Sequence, residues 1–419
     1  AAEVAAGQTL TGKVTNAAPG DTVTITLGGQ TFTATVQDDL TWSLPLTQSQ
    51  LTALGNGDLT VSASVTNAHG NTGSSSLDFT IDAQLPGLRI DTVAGDDVIN
   101  VIEHAQNLIV SGTSTDLAAG SAVTVTINGK AYSATVLADG SWQAAVPAAD
   151  VSQWADGALD IKASAQDASG NPVAIGTVVD VDLAPVAITI SSVTDDNVLN
   201  AAEKGQDLVL SGTSSNVEAG QTVTITFAGK TYTTTVDANG DWTWTVPAAD
   251  LSGLKDGDAS VQVSVTNVNG NAASSAQAFS VDTTAPTVTI NTISGDNMLN
   301  AAEAAQDLTL SGTSTAEAGQ TVTVTFNGNQ YSAQVQADGS WMLDVPAADL
   351  AGITDGGVAV TATVSDKAGN PASAGSSVLV DTTVPQISFN IVAGDDIVNI
   401  AEHGQALIVS GKVTGAQAG

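Results

Sequence analysis

The chain has 419 residues and no cysteine, and it sets 9 Lys and Arg against 43 Asp and Glu for a net charge of -34. That charge argues against phosphate backbones and anionic membrane surfaces as partners and makes cations the natural counterpart, while the missing cysteine removes disulfides, thiolate metal sites and cysteine nucleophiles. A hydrophobic share of 42% with only 4% aromatic residues is enough for real cores, and its Val, Ala, Thr and Ser bias favours strands over helices.

No window has the length of a membrane-spanning helix, and the first residues lack the charged-then-apolar layout of a signal peptide. The sequence reads as a piece excised from a longer, exported protein. An internal repeat dominates it: Trp42, Trp142, Trp242 and Trp341 stand 100, 100 and 99 residues apart, and Ser111, Ser211, Ser311 and Ser410, each before a Gly, keep the same step. Asp82, Asp182, Asp282 and Asp381 mark the repeat ends. The step is too long for a solenoid unit and suits a complete small domain. The expected division is therefore residues 1–82, 83–182, 183–282 and 283–381, followed by 382–419, which holds only the first two strands of a fifth repeat and cannot close alone.

Within the fourth repeat, residues 288–293 read as a first strand. The acidic stretch GDNMLNAAE follows at 295–303, then a strand at 308–311. Strict alternation follows: Val322, Val324 and Phe326, then Tyr331, Ala333 and Val335, then Trp341, Leu343 and Val345. Period two means half-buried strands. Asn327-Gly328 and Asp338-Gly339 between these runs suit the positive φ angles of tight hairpins. A PAAD segment from Pro346, equivalent to those at Pro147 and Pro247, reads as a helical turn that staples a loop. Strands at 358–364 and 378–380 complete a set of seven, with the loop DKAGN at 366–370 between them. The fold expected is all-β, a tandem array of seven-stranded immunoglobulin-like sandwiches. Short linkers containing Pro, as after Asp282, limit freedom and favour an elongated rod, and strands of roughly 25 Å make four such domains exceed about 100 Å.

If successive strands are all antiparallel, the acidic stretch, the NG turn, the PAAD segment and the final Asp share one end of each domain. The ADG turn and the DKAGN loop share the other. Linkers then bring the acidic end of one domain against the loop end of the next. In GDNMLNAAE, Asp296, Asn300 and Glu303 have the i, i+4, i+7 spacing of one helical face. Its counterparts are Asp96, Asp97, Asn100 and Glu103; Asp195, Asp196, Asn200 and Glu203; and Asp395, Asp396 and Glu402. With the linker residues Asp182, Asp282 and Asp381, and with Glu317, Asp338 and Asp366 opposite, these carboxylates repel unless they share a cation. Hard oxygen ligands point to Ca²⁺, although the twelve-residue EF-hand loop is absent. The competing reading is an Asn and Glu capping box with the remaining acids as solvated surface. The copies also differ: Asn197 and Asn297 replace one acid, and Asn267 stands where Asp167 and Asp366 stand.

Catalysis finds no support. His69, His104 and His403 are too few for a catalytic apparatus, and the position of His104 is Lys204 and Ala304 in other copies, so they read as exposed surface; no Ser-His-Asp arrangement repeats, and no phosphate loop follows a strand. The repeated Trp reads as core and Trp154 as a partly exposed loop residue. The AGN and NGN loops read as plain turns with Gly and Asn supplying positive φ.

With VDTTAP at 281–286, GDNMLNAAE at 295–303, ADGSW at 337–341 and DKAGN at 366–370, the chain resembles the tandem bacterial immunoglobulin-like repeats of giant type I-secreted adhesins, the biofilm-associated kind above all. The resemblance covers essentially the whole chain. It implies a secreted or surface protein of a Gram-negative bacterium, acting in biofilm formation or adhesion, with Ca²⁺ at the domain junctions. Asp182, Asp282 and Asp381 match the family's linker Asp. The first linker, IDAQLPG at 81–87, keeps Asp82 but lacks the Thr-Thr pair. The expectation is a non-enzymatic stalk whose partners are calcium ions and, through regions beyond this chain, further copies or host and matrix components. The alternative makes each repeat a ligand-binding or homophilic module.

Overall fold

The computed structural model describes residues 1–416. It forms two compact units, Ala1–Val186 with Thr266–Asn271, and Ala187–Val265 with Ala272–Gly419.

In the first unit, Ser141–Val146, Leu108–Thr115 and Gly87–Ile90 lie side by side as one sheet. Lys130–Thr135, Ala122–Ile127, Gly157–Gln166, Pro172–Val181 and Val98–Ile99 form the other. Alternate residues of both sheets face inward, so Val110, Val123, Val125, Ile127, Trp142, Val146, Ile161, Val179 and Val181 make one core. This is the immunoglobulin-like sandwich that period-two alternation predicts. Asn128 and Gly129 take φ of 47° and 77° at the hairpin between Ala122–Ile127 and Lys130–Thr135, as a tight turn requires. The unit also holds Gln8–Lys13 paired with Thr41–Leu46, and a sheet of Gln30–Thr35, Thr22–Leu27, Gly57–Thr66 and Thr72–Ile81.

The second unit repeats the pattern. One five-stranded sheet runs Val198–Leu199, Ala272–Val281, Gly257–Thr266, Thr222–Phe227, Lys230–Thr235, and another runs Met298–Asn300, Pro371–Asp381, Gly356–Ser365, Thr321–Phe326, Asn329–Gln334. Phe227 stacks on Phe279 with ring centroids 5.7 Å apart.

Two expectations change. The acidic stretch is not a helical face: Met298–Asn300 is a short strand, parallel to Leu379–Asp381, that separates Asp296 from the turn carrying Glu303. Each of these three repeats thus gains a short parallel strand, at Val98–Ile99, Val198–Leu199 and Met298–Asn300, while the first strand expected at 288–293 is reduced to a single bridge between Val288 and Ser314. Trp154 is 4% exposed and belongs to the core, not to a loop surface.

The Ser-Gly step has a packing cause. Gly112 pairs with Trp142 across the sheet, and a Cβ there would overlap both the indole ring and the Arg89 carbonyl oxygen. Gly312 stands in the same relation to Trp341 and the Thr289 carbonyl.

Candidate functional site

The acidic stretch is first of all a folded turn. The second acid is held at positive φ, 64° for Asp97, 63° for Asn197, 62° for Asn297 and 68° for Asp396. In each case the side-chain Oδ1 accepts the N–H four residues back, from Val93, Val193, Ile293 and Val392. A left-handed residue with a short acceptor suits Asp and Asn equally, which explains their exchange. The first acid, Asp96, Asp196, Asp296 or Asp395, accepts the N–H two residues on. Asp195 occupies the exposed position held elsewhere by Gly95, Gly295 and Gly394. Asn100 accepts from Glu103 N while Glu103 Oε2 accepts from Asn100 N, a capping box repeated by Asn200 with Glu203, Asn300 with Glu303 and Asn399 with Glu402.

Among the described residues, no three His, Asp or Glu side chains gather at one point. Asp338 stays with its own hairpin, accepting from Ser340 N at 3.0 Å and Oγ at 2.6 Å. Glu317 accepts Lys367 N at 3.0 Å.

What the fold does bring together is a linker, an acidic turn and a loop, and the residue that joins them is an Asn missing from the acidic pattern. In the second unit, Asn370 is 1% exposed. Its Nδ2 donates to the Asp282 carbonyl at 2.9 Å and to Asp366 Oδ2 at 3.0 Å, and its Oδ1 accepts Ala201 N at 2.8 Å. Ala201 lies between Asn200 and Glu203, so the capped turn reaches the same seam. In the first unit, Asn271 donates to the Asp182 carbonyl at 3.0 Å and accepts Val101 N at 2.8 Å. Asn171 donates to the carbonyls of Asp82 and Gln84, both at 3.2 Å, and to Asp167 Oδ2 at 2.8 Å, while its Oδ1 accepts from the Ala1 amino group. The AGN and NGN loops are therefore more than turns. Gly170, Gly270 and Gly369 carry the positive φ, which leaves each following Asn free to enter the seam. A Cβ on Gly270 would stand 2.8 Å from Asn100 Nδ2, so the turn also lies against this loop.

The linker Asp folds its own chain. Asp82, Asp182, Asp282 and Asp381 each accept, through Oδ1, the N–H two residues on. In the second unit a further Asp clamps the Thr-Thr pair: Asp256 binds Thr283 and Thr284, and Asp355 binds Thr382 and Thr383. The Thr284 hydroxyl, with Thr283, holds the Asp256 carboxyl below the usual carboxylate range, and Thr383 and Thr382 do the same for Asp355. A depressed folded pKa means the unfolded chain binds more protons in that window, so the clamps contribute fully above the ordinary value of 3.8 and are lost as pH falls through the lower folded values. Amide exchange at Thr283 and Thr382 is expected to accelerate on acidification below that point, beyond the trend shown by Ala83, whose N–H is held by the neutral amide of Asn56 in the linker without the Thr pair. Equal behaviour at Ala83 would remove the clamp.

The PAAD acids serve the domains themselves. Asp150, Asp250 and Asp349 accept the hydroxyls of Tyr132, Tyr232 and Tyr331, joined at the first two by Lys130 and Lys230. Burial, then the Asp250 hydrogen bond and charge, pushes Tyr232 up to about 12. Between the usual value near 10 and about 12 the folded state holds the extra proton, so stability falls as pH rises through that window. Tyrosinate absorbance during an alkaline titration is expected to show late ionisation that Asp250→Asn brings earlier. His104 is likewise tied down, its Nε2 lying 3.0 Å from the Trp154 carbonyl, which corrects the reading of an exposed residue.

No helix among the described residues is long and apolar enough to cross a membrane. Residues 191–283 and 284–382 match the family described as bacterial Ig-like domain. No curated protein matches the chain significantly. Among solved structures, a Ca²⁺-stabilized adhesin that helps an Antarctic bacterium reach out and bind ice is 36% identical, covering 91% of this chain and 95% of its own, with a TM-score of 0.39. A 1.5-MDa bacterial ice-binding adhesin, described in terms of host cell surface retention, is 34% identical over 71% of this chain and 98% of its own, with a TM-score of 0.39. A tetra-tandem repeat from the extending region of a large adhesion protein is 32% identical over 90% of this chain and 96% of its own, with a TM-score of 0.35. Identity at this level runs through nearly the whole chain, and the family match falls on two of its copies, so the chain belongs to the bacterial Ig-like domain family as a tandem array of its repeats.

Proposed function

We propose that this chain is a non-catalytic stalk segment of a large bacterial surface or secreted adhesin. Its repeats are joined at seams that take up Ca²⁺, and it serves biofilm formation and adhesion by carrying a binding region away from the cell. The observation that carries this reading is the recurrent seam at Asn171, Asn271 and Asn370, where a buried amide fastens a linker carbonyl to a neighbouring loop. A protein that bound ligand through each repeat would need exposed recognition groups, whereas the repeated Trp142, Trp242 and Trp341 are all core.

Ca²⁺ fits the oxygen donors. Around Asn171 Nδ2 stand three oxygens, the carbonyls of Asp82 and Gln84 and Asp167 Oδ2, more than its two protons satisfy well. The Asp282 carbonyl and Asp366 Oδ2 form the corresponding set in the second unit. Only hard oxygen ligands are offered, which suits a cation taking roughly 6–8 of them with water completing the shell. Asp82 with Asp167, and Asp282 with Asp366, would hold it; Asn200 and Glu203 reach the latter seam through the capped turn. The similarity to an adhesin described as Ca²⁺-stabilized supports the same assignment. Located outside the cell, such seams would meet calcium only after secretion.

The test is calorimetric Ca²⁺ titration of the whole chain together with small-angle scattering in Ca²⁺ and in chelator. Binding at two or more sites with a growing maximum dimension is the expected result. No binding and an unchanged profile would leave GDNMLNAAE as a capped turn and end the calcium reading.

A further inference from the structure

The three seams share a backbone but not a polarity. At the head of each loop stands Asp167, Asn267 or Asp366, and Oδ1 of each is used in the same way, accepting the N–H of Asn171, Asn271 or Asn370 at 2.8, 2.9 and 2.8 Å. Asn267 Oδ1 also accepts Asn269 N at 3.1 Å. Those two backbone donors fix the orientation of the Asn267 amide, since a flipped group would turn its NH₂ against them. The other terminal atom then faces the seam: an acceptor oxygen in Asp167 and Asp366, a donor nitrogen in Asn267. Asn267 Nδ2 lies 3.3 Å from Asp182 Oδ2, and Asn269 Nδ2 lies 2.7 Å from the same oxygen. The position of Asn269 is Ser169 in the first repeat pair, where one hydroxyl reaches Asp82 Oδ2 at 2.8 Å, and Ala368 in the last, which has no side-chain donor.

We infer that the Asp182 seam is an amide lock, closed by Asn267 and Asn269 without any metal ion, so that a chain of calcium-dependent seams contains one that stays closed when calcium is absent. Where the linker and the loop head both carry a carboxylate, as Asp282 and Asp366 do, their like charges favour a cation at the seam. One carboxylate facing two amides is already complementary, and its hydrogen bonds are of the stronger, charge-assisted kind. The side-chain donors at two loop positions, those of Asn267 and Asn269, thus decide whether a seam responds to calcium. The Asp82 seam, with one hydroxyl donor, falls between the Asp182 lock and the Asp282 seam. The contrast rests on the calcium reading of the other seams, while the lock itself stands on its own hydrogen bonds.

Hydrogen exchange on the full chain tests it, with CaCl₂ and with EGTA. Chelation is expected to accelerate exchange in residues 365–370 by about tenfold or more and to leave 266–271 unchanged. Asn269→Ala, at a partly exposed position that the core does not need, is expected to accelerate 266–271 in EGTA by about tenfold. Asn267→Asp is expected to make the same loop calcium-dependent and to add one site to the calorimetric titration. If 266–271 loses protection on chelation as the other loops do, the lock is wrong. If no loop responds to calcium, the calcium reading fails instead, and Asn269→Ala alone decides the lock: acceleration supports it and an unchanged rate overturns it.

Discussion

Truncating Trp341 to alanine is expected to cost about 3–5 kcal/mol, enough to unfold its sandwich under mild conditions. The indole is 1% exposed and packs over Gly312, which has no side chain because one would overlap the ring and the Thr289 carbonyl. Removing the ring leaves a cavity that this backbone cannot fill. The loss is one of packing alone, because Trp341 Nε1 is buried without an acceptor, whereas Trp142 and Trp242 donate to the carbonyls of Thr113 and Thr189. Trp341→Phe should therefore be tolerated better than Trp242→Phe, which also orphans a carbonyl. Gly312→Ala should destabilise by about 1–3 kcal/mol from the opposite direction, by overpacking. Since the core around Trp341 draws only on residues from Val288 to Val380, amide exchange should accelerate in Thr321–Phe326 and Gly356–Ser365 while Ala122–Ile127 in the first unit keeps its protection. Loss of protection in both places would mean that the cores are not independent.

The sandwich is legible in the sequence because its signals are local. Alternation in 322–345 fixes faces, Asn327-Gly328 fixes a turn, and the Trp step counts the copies. The capping box is legible too, since Asn and Glu three residues apart define it. Three things escape local reading. The strand Met298–Asn300 has a residue spacing that also fits a helical face, and only its parallel partner, Leu379–Asp381, decides between them. The second acid of each turn looks like a ligand by charge, whereas the chain needs a left-handed backbone and an acceptor there. The seam Asn is hardest, because Ala201 and Asn370 are 169 positions apart and an Asn after Gly reads as an ordinary turn residue. Its recurrence at Asn171, Asn271 and Asn370, in step with the Trp, is the signal that was available.

That Asn is also where a single substitution should open a seam. Asn370→Ala removes one acceptor and two donations at once, leaving Ala201 N–H, the Asp282 carbonyl and Asp366 Oδ2 to find other partners. An unpaired buried group costs about 1–3 kcal/mol, so the loop 366–370 should detach from the Asp282 linker well before the sandwich unfolds. The measurement is exchange at Ala201 N–H, expected to rise steeply while Thr321–Phe326 stays protected. Unchanged exchange at Ala201 would show that Asn370 does not hold the seam. Asn370→Asp separates the two roles of the side chain. It keeps an acceptor for Ala201 but replaces the donor with a second carboxylate oxygen beside Asp366, so in chelator it should open the seam at least as far as alanine does. Calcium should then close it again, because the added charge repels Asp366 only until a cation sits between them. Rescue of Asn370→Asp by calcium, with no rescue of Asn370→Ala, would tie the loop, the linker and the ion to one site.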